Sequence, residues 1–172
     1  MDELFPPGVI GFPVTPFNQD CSLDLAGFAK NLEIILSKPF TAFVAAGGTG
    51  EVYSLARDEY LSVIRSAVEK TEGTMPVIAG VGYGSHIAQI MASEAEKIGA
   101  SAILVLPPYY SNACFDGVLA YLKGIGQATS LPLILYTRDW LQISPEEAER
   151  LAEAARAAEK KRRFIAYVQK QN

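Results

Sequence analysis

Residues 76–110 read PVIAGVGYGSHIAQIMASEAEKIGASAILVLPPYY. Both ends are short and nearly continuously apolar, the pattern of strands covered on both faces. Between them Ile87, Ile90, Met91, Ala95 and Ile98 recur at helical spacing, which predicts a helix with a core-facing stripe. Gly99 sits where that helix should end, and Pro76 opens the strand before it. Strand, helix and strand in one uninterrupted stretch make a βα repeat, so the class is α/β.

Working outward, the same alternation covers the chain. Further strand-like runs are VIGFPVTPF (9–17), FTAFVAAGG (40–48), PLILYTRD (132–139) and FIAYV (164–168). Helical stretches occupy 22–38, 56–73, 115–130 and 144–163. Two arrangements satisfy six βα strands: part of a (β/α)8 TIM barrel, or a rearranged open parallel sheet. In either, ligands gather beyond the carboxyl ends of the strands.

Composition narrows the partners. The 172 residues carry a net charge of −4, and a nucleic-acid partner is not expected without a basic surface. No apolar run approaches the roughly 18 residues of a membrane span. The start, MDELFPPGVI, lacks the pattern of a secretory signal. Cys21 and Cys114 are far apart and read as reduced thiols, which together predict a cytoplasmic protein. One histidine, His86, and no cysteine cluster predict no metal site. His86 itself reads as a capping or surface residue. From Ser144 the text becomes SPEEAERLAEAARAAEKKRR, an outer helix opened by a Ser-Pro cap and closed by bases that suit its dipole.

Three strand ends carry polar groups suited to chemistry. After the second strand, Gly47, Gly48 and Gly50 let the backbone approach a ligand, and Thr49 adds a hydroxyl. A plain strand-to-helix turn with Glu51 at the helix start fits those residues equally well. After the fourth strand, Tyr109 and Tyr110 are either hydrogen-bond donors or rim aromatics. At the end of the fifth, Tyr136 precedes Thr137, Arg138 and Asp139; it is either a general acid/base or a cap on the core.

Taken together, GFPVTPF (11–17), GGTGEVYSL (47–55), LPPYY (106–110) and LILYTRDW (133–140) resemble the N-acetylneuraminate lyase and dihydrodipicolinate synthase superfamily of Schiff-base aldolases and dehydratases. The branch they most resemble is the 5-dehydro-4-deoxyglucarate dehydratases, and the likeness covers about Gly8 to Trp140. The resemblance implies a (β/α)8 barrel, commonly a homo-oligomer, acting on a small 2-keto acid without metal or organic cofactor. It implies that the turn at Gly48, Thr49 and Gly50 binds the keto acid's carboxylate. Tyr136 matches the family's proton-shuttling tyrosine, and Tyr110 a tyrosine lent to a neighbouring subunit's relay.

The last run departs from that pattern. The family's Schiff-base lysine would follow Phe164, Ile165, Ala166 and Tyr167, yet Val168 stands there. Only an amine can make the imine that serves as electron sink. Lys170 lies two residues on, about 6–7 Å further along a strand, and is the candidate substitute. The expectation is one partial-barrel domain over 1–172, family-like over 1–143, with a charged helix and an atypical strand over 144–172. A complete barrel takes about 250 residues, so a truncated, inactive chain is expected. The alternative is a non-catalytic scaffold, engineered or chimeric, that oligomerises through open strand edges.

Overall fold

The computed structural model describes residues 7–108, 114–137, 141–158 and 164–168, with 154–158 and 164–168 described by backbone alone. In chain order the elements are β1 (Val9–Gly11), α1 (Leu25–Leu36), β2 (Phe40–Ala45), a 3-10 turn (Val52–Ser54), α2 (Arg57–Thr71), β3 (Val77–Val81) and α3 (Ser85–Ile98). They continue as β4 (Ala102–Val105), α4 (Phe115–Ala128), β5 (Leu133–Thr137), α5 (Pro145–Ala158) and β6 (Phe164–Val168).

Local chemistry explains most boundaries. The Asp24 carboxylate accepts from the Gly27 amide at 2.8 Å and starts α1. Ser144 and Glu147 form a reciprocal cap on α5: the Glu147 amide donates to Ser144 Oγ at 3.2 Å, and the Ser144 amide donates to Glu147 Oε2 at 2.9 Å. Gly99 ends α3 at φ +110°, where its amide reaches Ala95 and Glu96 carbonyls.

All pairings are parallel, and the six strands lie in the order β1-β2-β3-β4-β5-β6. An open doubly wound sheet requires the order to reverse at a switch point, and no reversal occurs here. Each strand instead lies beside its neighbour in sequence, as in a barrel wall. The fold is a partial (β/α)8 barrel, and the rearranged open sheet is not formed.

The sheet's two faces carry different cores. Residues such as Phe43, Val77, Ile103 and Leu135 meet the helices and join Phe28, Leu32, Ile64 and Ile125 in the larger core. The other face gathers Ala42, Val44, Ile78, Ala102, Leu104 and Ile134, with Ile10 and Tyr136 packed against them. This smaller cluster is the inner wall. At the strands' starting end, Glu96 ties α3 to the segment entering β5. It accepts from Thr129 Oγ1 at 2.8 Å and from the Ser130 amide and hydroxyl.

Two expectations need correction. The run 9–17 yields only three strand residues, because Pro13 and Pro16 lack the amide a ladder needs. The stripe on α3 is also partly turned: Met91, Ala95 and Ile98 face the core as expected, but Ile87 and Ile90 are 50% and 38% exposed, and Ala88 and Ala92 are buried in their place. Helix α3 packs beside its neighbour α4. A β-carbon placed at Gly124 of α4 would stand 2.8 Å from Gln89 Nε2 of α3.

Candidate functional site

The turn after β2 is held in an unusual shape. Ala46 and Glu51 bracket it with φ of +50° and +54°, the left-handed region that non-glycine residues rarely occupy. Gly48 and Thr49 are exposed at its tip, while Gly47 and Gly50 are buried. The buried Thr15 hydroxyl donates to the Gly50 carbonyl at 2.7 Å, so the segment after β1 braces the turn from below. Gly80 of β3 lies under it: a β-carbon there would stand 2.0 Å from the Ala46 carbonyl oxygen.

Tyr136 ends the inner-wall row of β5. Its ring is half-buried against the inner cluster. Val105 pairs with Leu135, so Leu106 and Tyr136 take the next step along their strands. Leu106 in turn is the nearest side chain to Gly48, with Cδ2 3.8 Å from the position a β-carbon would take there. Gly48 follows β2 and Tyr136 is the penultimate residue of β5, so both lie at the carboxyl end of the parallel sheet, the end where barrels of this architecture hold their sites.

The remaining candidates divide. Tyr110 and Lys170 lie outside the described residues, as do Tyr109, Arg138 and Asp139. Val168 is in register with Thr137, and Tyr167 with Tyr136. Position 168 is therefore one step out of phase with Tyr136 on the neighbouring strand. His86 is exposed in the first turn of α3. Cys21 and Cys114 are exposed and free. Among the described residues, no group of three or more His, Cys, Asp or Glu is placed to hold a metal, and no helix is long and apolar enough to cross a membrane.

Sequence reasoning missed a set of tyrosines behind the turn. Tyr53 Oη donates to the Pro107 carbonyl at 2.9 Å, and Tyr83 Oη donates to the Val52 carbonyl at 2.9 Å. Tyr121 Oη donates to the Leu106 carbonyl at 3.3 Å. Burial pushes the Tyr83 and Tyr121 phenols above the ordinary tyrosine range, and Tyr53 adds to the shift at Tyr121. Both therefore stay protonated and able to donate. Thr15 and Tyr53 sat in quoted motifs, but nothing local marks what they or the other two tyrosines bond to, since the tyrosines' acceptors lie 15 to 54 residues away in sequence.

A one-way parallel barrel wall, a glycine-rich turn after β2 and a tyrosine ending β5 define a class, and comparison with known proteins agrees. The chain belongs to the dihydrodipicolinate synthetase family, whose model matches residues 6–161. A probable 5-dehydro-4-deoxyglucarate dehydratase of Streptomyces avermitilis is 46% identical over 145 residues, which is 84% of this chain and 44% of the relative. One from Bradyrhizobium diazoefficiens is 40% identical over 153 residues, 89% of this chain and 49% of the relative. Among solved structures, the chloride-inhibited dihydrodipicolinate synthase of Acinetobacter baumannii, complexed with pyruvate, superposes with a TM-score of 0.80 at 33% identity. That match covers 85% of this chain and 52% of the other. The chain spans about half the length of the curated relatives it matches.

Proposed function

We propose that this chain carries the carboxylate-binding and proton-carrying half of a Schiff-base 2-keto-acid site, of the 5-dehydro-4-deoxyglucarate dehydratase type. Reactions of that type dehydrate and decarboxylate a keto sugar acid. The observation that carries the reading is that Gly48, after β2, and Tyr136, near the end of β5, lie at the same carboxyl end of one parallel sheet. In this reading the amides of Gly48 to Gly50 and the Thr49 hydroxyl hold the carboxylate. The Tyr136 phenol moves a proton at the reacting carbon. Tyr110 would join from the loop after β4. Neither metal nor organic cofactor is needed, because an imine would itself be the electron sink. The exposed, free thiols of Cys21 and Cys114 fit a cytoplasmic setting.

The imine is what this chain does not make in our reading. Val168 stands where the family's lysine is expected, and its register partner is Thr137, not Tyr136. The chain then binds a keto acid but does not turn it over. Borohydride reduction with pyruvate should leave the intact mass unchanged, while pyruvate still shifts the amide resonances of Gly48 and Thr49. A reduced adduct on Lys170 would refute the non-catalytic part. Absence of any pyruvate-dependent shift would refute the site.

A second reading has its own observation. Among the described residues β1 pairs only with β2 and β6 only with β5, so each leaves an outer ladder of backbone groups, and Val9 on β1 is 62% exposed. On that reading the chain is a scaffold that assembles through its edges. Sedimentation should then give one discrete oligomer; a well-folded monomer at high concentration would exclude it.

A further inference from the structure

The turn at 46–51 is held in a strained shape, and something must oppose its relaxation. Ala46 and Glu51 hold left-handed backbone at φ +50° and +54°, and Tyr83, at the end of β3, holds φ +69°. Such residues persist only where surrounding contacts over-determine them. Beside the Thr15 hydroxyl on Gly50, two phenols hold the segment that leaves the turn. Tyr83 Oη donates to the Val52 carbonyl at 2.9 Å and lies 3.4 Å from that of Leu55, gripping the 3-10 turn that follows Glu51. Tyr53, within that 3-10 turn, donates to the Pro107 carbonyl at 2.9 Å, across to the segment leaving β4. The two rings pack edge to face, with centroids 5.0 Å apart and planes at 70°. Gly82 leaves room for this, since a β-carbon there would stand 2.8 Å from Tyr53 Oη.

We propose that Tyr53 and Tyr83 form a phenolic clamp that keeps the 46–51 turn in its ligand-ready shape and sets it against the 107–108 segment. Both are positioning residues: their hydroxyls are engaged with backbone carbonyls, and they act on a bound carboxylate through the amides of Gly48 to Gly50. The inference rests on the keto-acid reading above and adds to it the device that prepares the site. Preorganisation of this kind strengthens binding because the ligand need not order the turn itself. The clamp also joins the carboxylate turn to Pro107 in the segment leaving β4, so a loss at Tyr53 reaches both.

The test compares Tyr53→Phe and Tyr83→Phe with the unaltered chain, using pyruvate as probe and amide hydrogen exchange at Gly48 and Gly50 as a second readout. Each variant keeps its ring and loses one hydroxyl. The expected result is pyruvate affinity weakened about five- to tenfold and faster exchange at the two glycines. Exchange in the cores of α2 and β3 should be unchanged. Glu96→Gln, at the opposite end of the sheet, should lower the melting temperature without moving either readout. Exchange and affinity both unchanged in both tyrosine variants would overturn the clamp. If the unaltered chain binds no pyruvate, the keto-acid reading falls, and exchange at Gly48 and Gly50 alone decides whether the clamp stands. Should Tyr53→Phe not fold, Tyr83→Phe carries the same two readouts.

Discussion

Gly80→Ala should destabilise the chain by about 3 kcal/mol or more, at the upper end of overpacking costs. The added carbon would lie 2.0 Å from the Ala46 carbonyl oxygen, 2.6 Å from its carbon and 2.8 Å from Gly47 Cα. All three atoms are backbone, so no flexible side chain can swing aside. Ala46 already sits at φ +50° and cannot absorb the displacement cheaply. The turn would be pushed away from β3, taking Gly48 and Thr49 with it. Urea unfolding should show the lost stability, and pyruvate-dependent shifts at Gly48 should vanish even where the variant remains folded. A variant with unaltered unfolding midpoint would mean that the turn after β2 does not lie against Gly80 as described. Gly84→Ala is the control, since no atom lies within 4 Å of its β-carbon position and its φ of −73° suits any residue.

Phe43→Ala should cost about 3–5 kcal/mol, the range for deleting a fully buried aromatic ring. Phe43 is 0% exposed on the helix-facing side of β2. It stands in register with Gly11 of β1, and a β-carbon on Gly11 would come within 3.4 Å of Phe43 Cβ. Phe43 belongs to the larger core with Phe28 and Leu32, and alanine at position 43 would leave a cavity in it. Phe43→Leu, which retains most of the volume, should lose much less. Equal losses for both substitutions would show that the site collapses around the smaller residue. Comparing denaturant midpoints at constant slope separates these outcomes.

Much of this architecture could be read before the fold was known, for identifiable reasons. Strands β2 to β5 are short apolar runs buried on both faces, and their text carries few competing signals. Gly73 and Gly99 mark helix ends because their φ of +76° and +110° penalises any side chain. The exposure of Ile87 and Ile90 on α3 escaped the same reading because hydropathy ranks isoleucine above alanine, and the buried places went to Ala88 and Ala92. The final strand shows a different limit. Counting apolar residues locates FIAYV, but the alignment of Val168 with Thr137 depends on pairing with β5, which no local pattern specifies. At the site, the glycine run was visible and its bracing was not. Thr15 reaches Gly50 across 35 positions and Tyr53 reaches Pro107 across 54, so neither bond leaves a mark in nearby text.

The strand order has a bearing on how such a chain is made. Every strand pairs with the one synthesised just before it, across a single intervening helix. Among the described residues, loop closure then spans one βα unit at a time. As the polypeptide leaves the ribosome, each new unit meets a ladder already built by its predecessor, so the wall can grow from the amino end in increments. Duplication or loss of a whole unit during descent would for the same reason leave the surviving pairings intact.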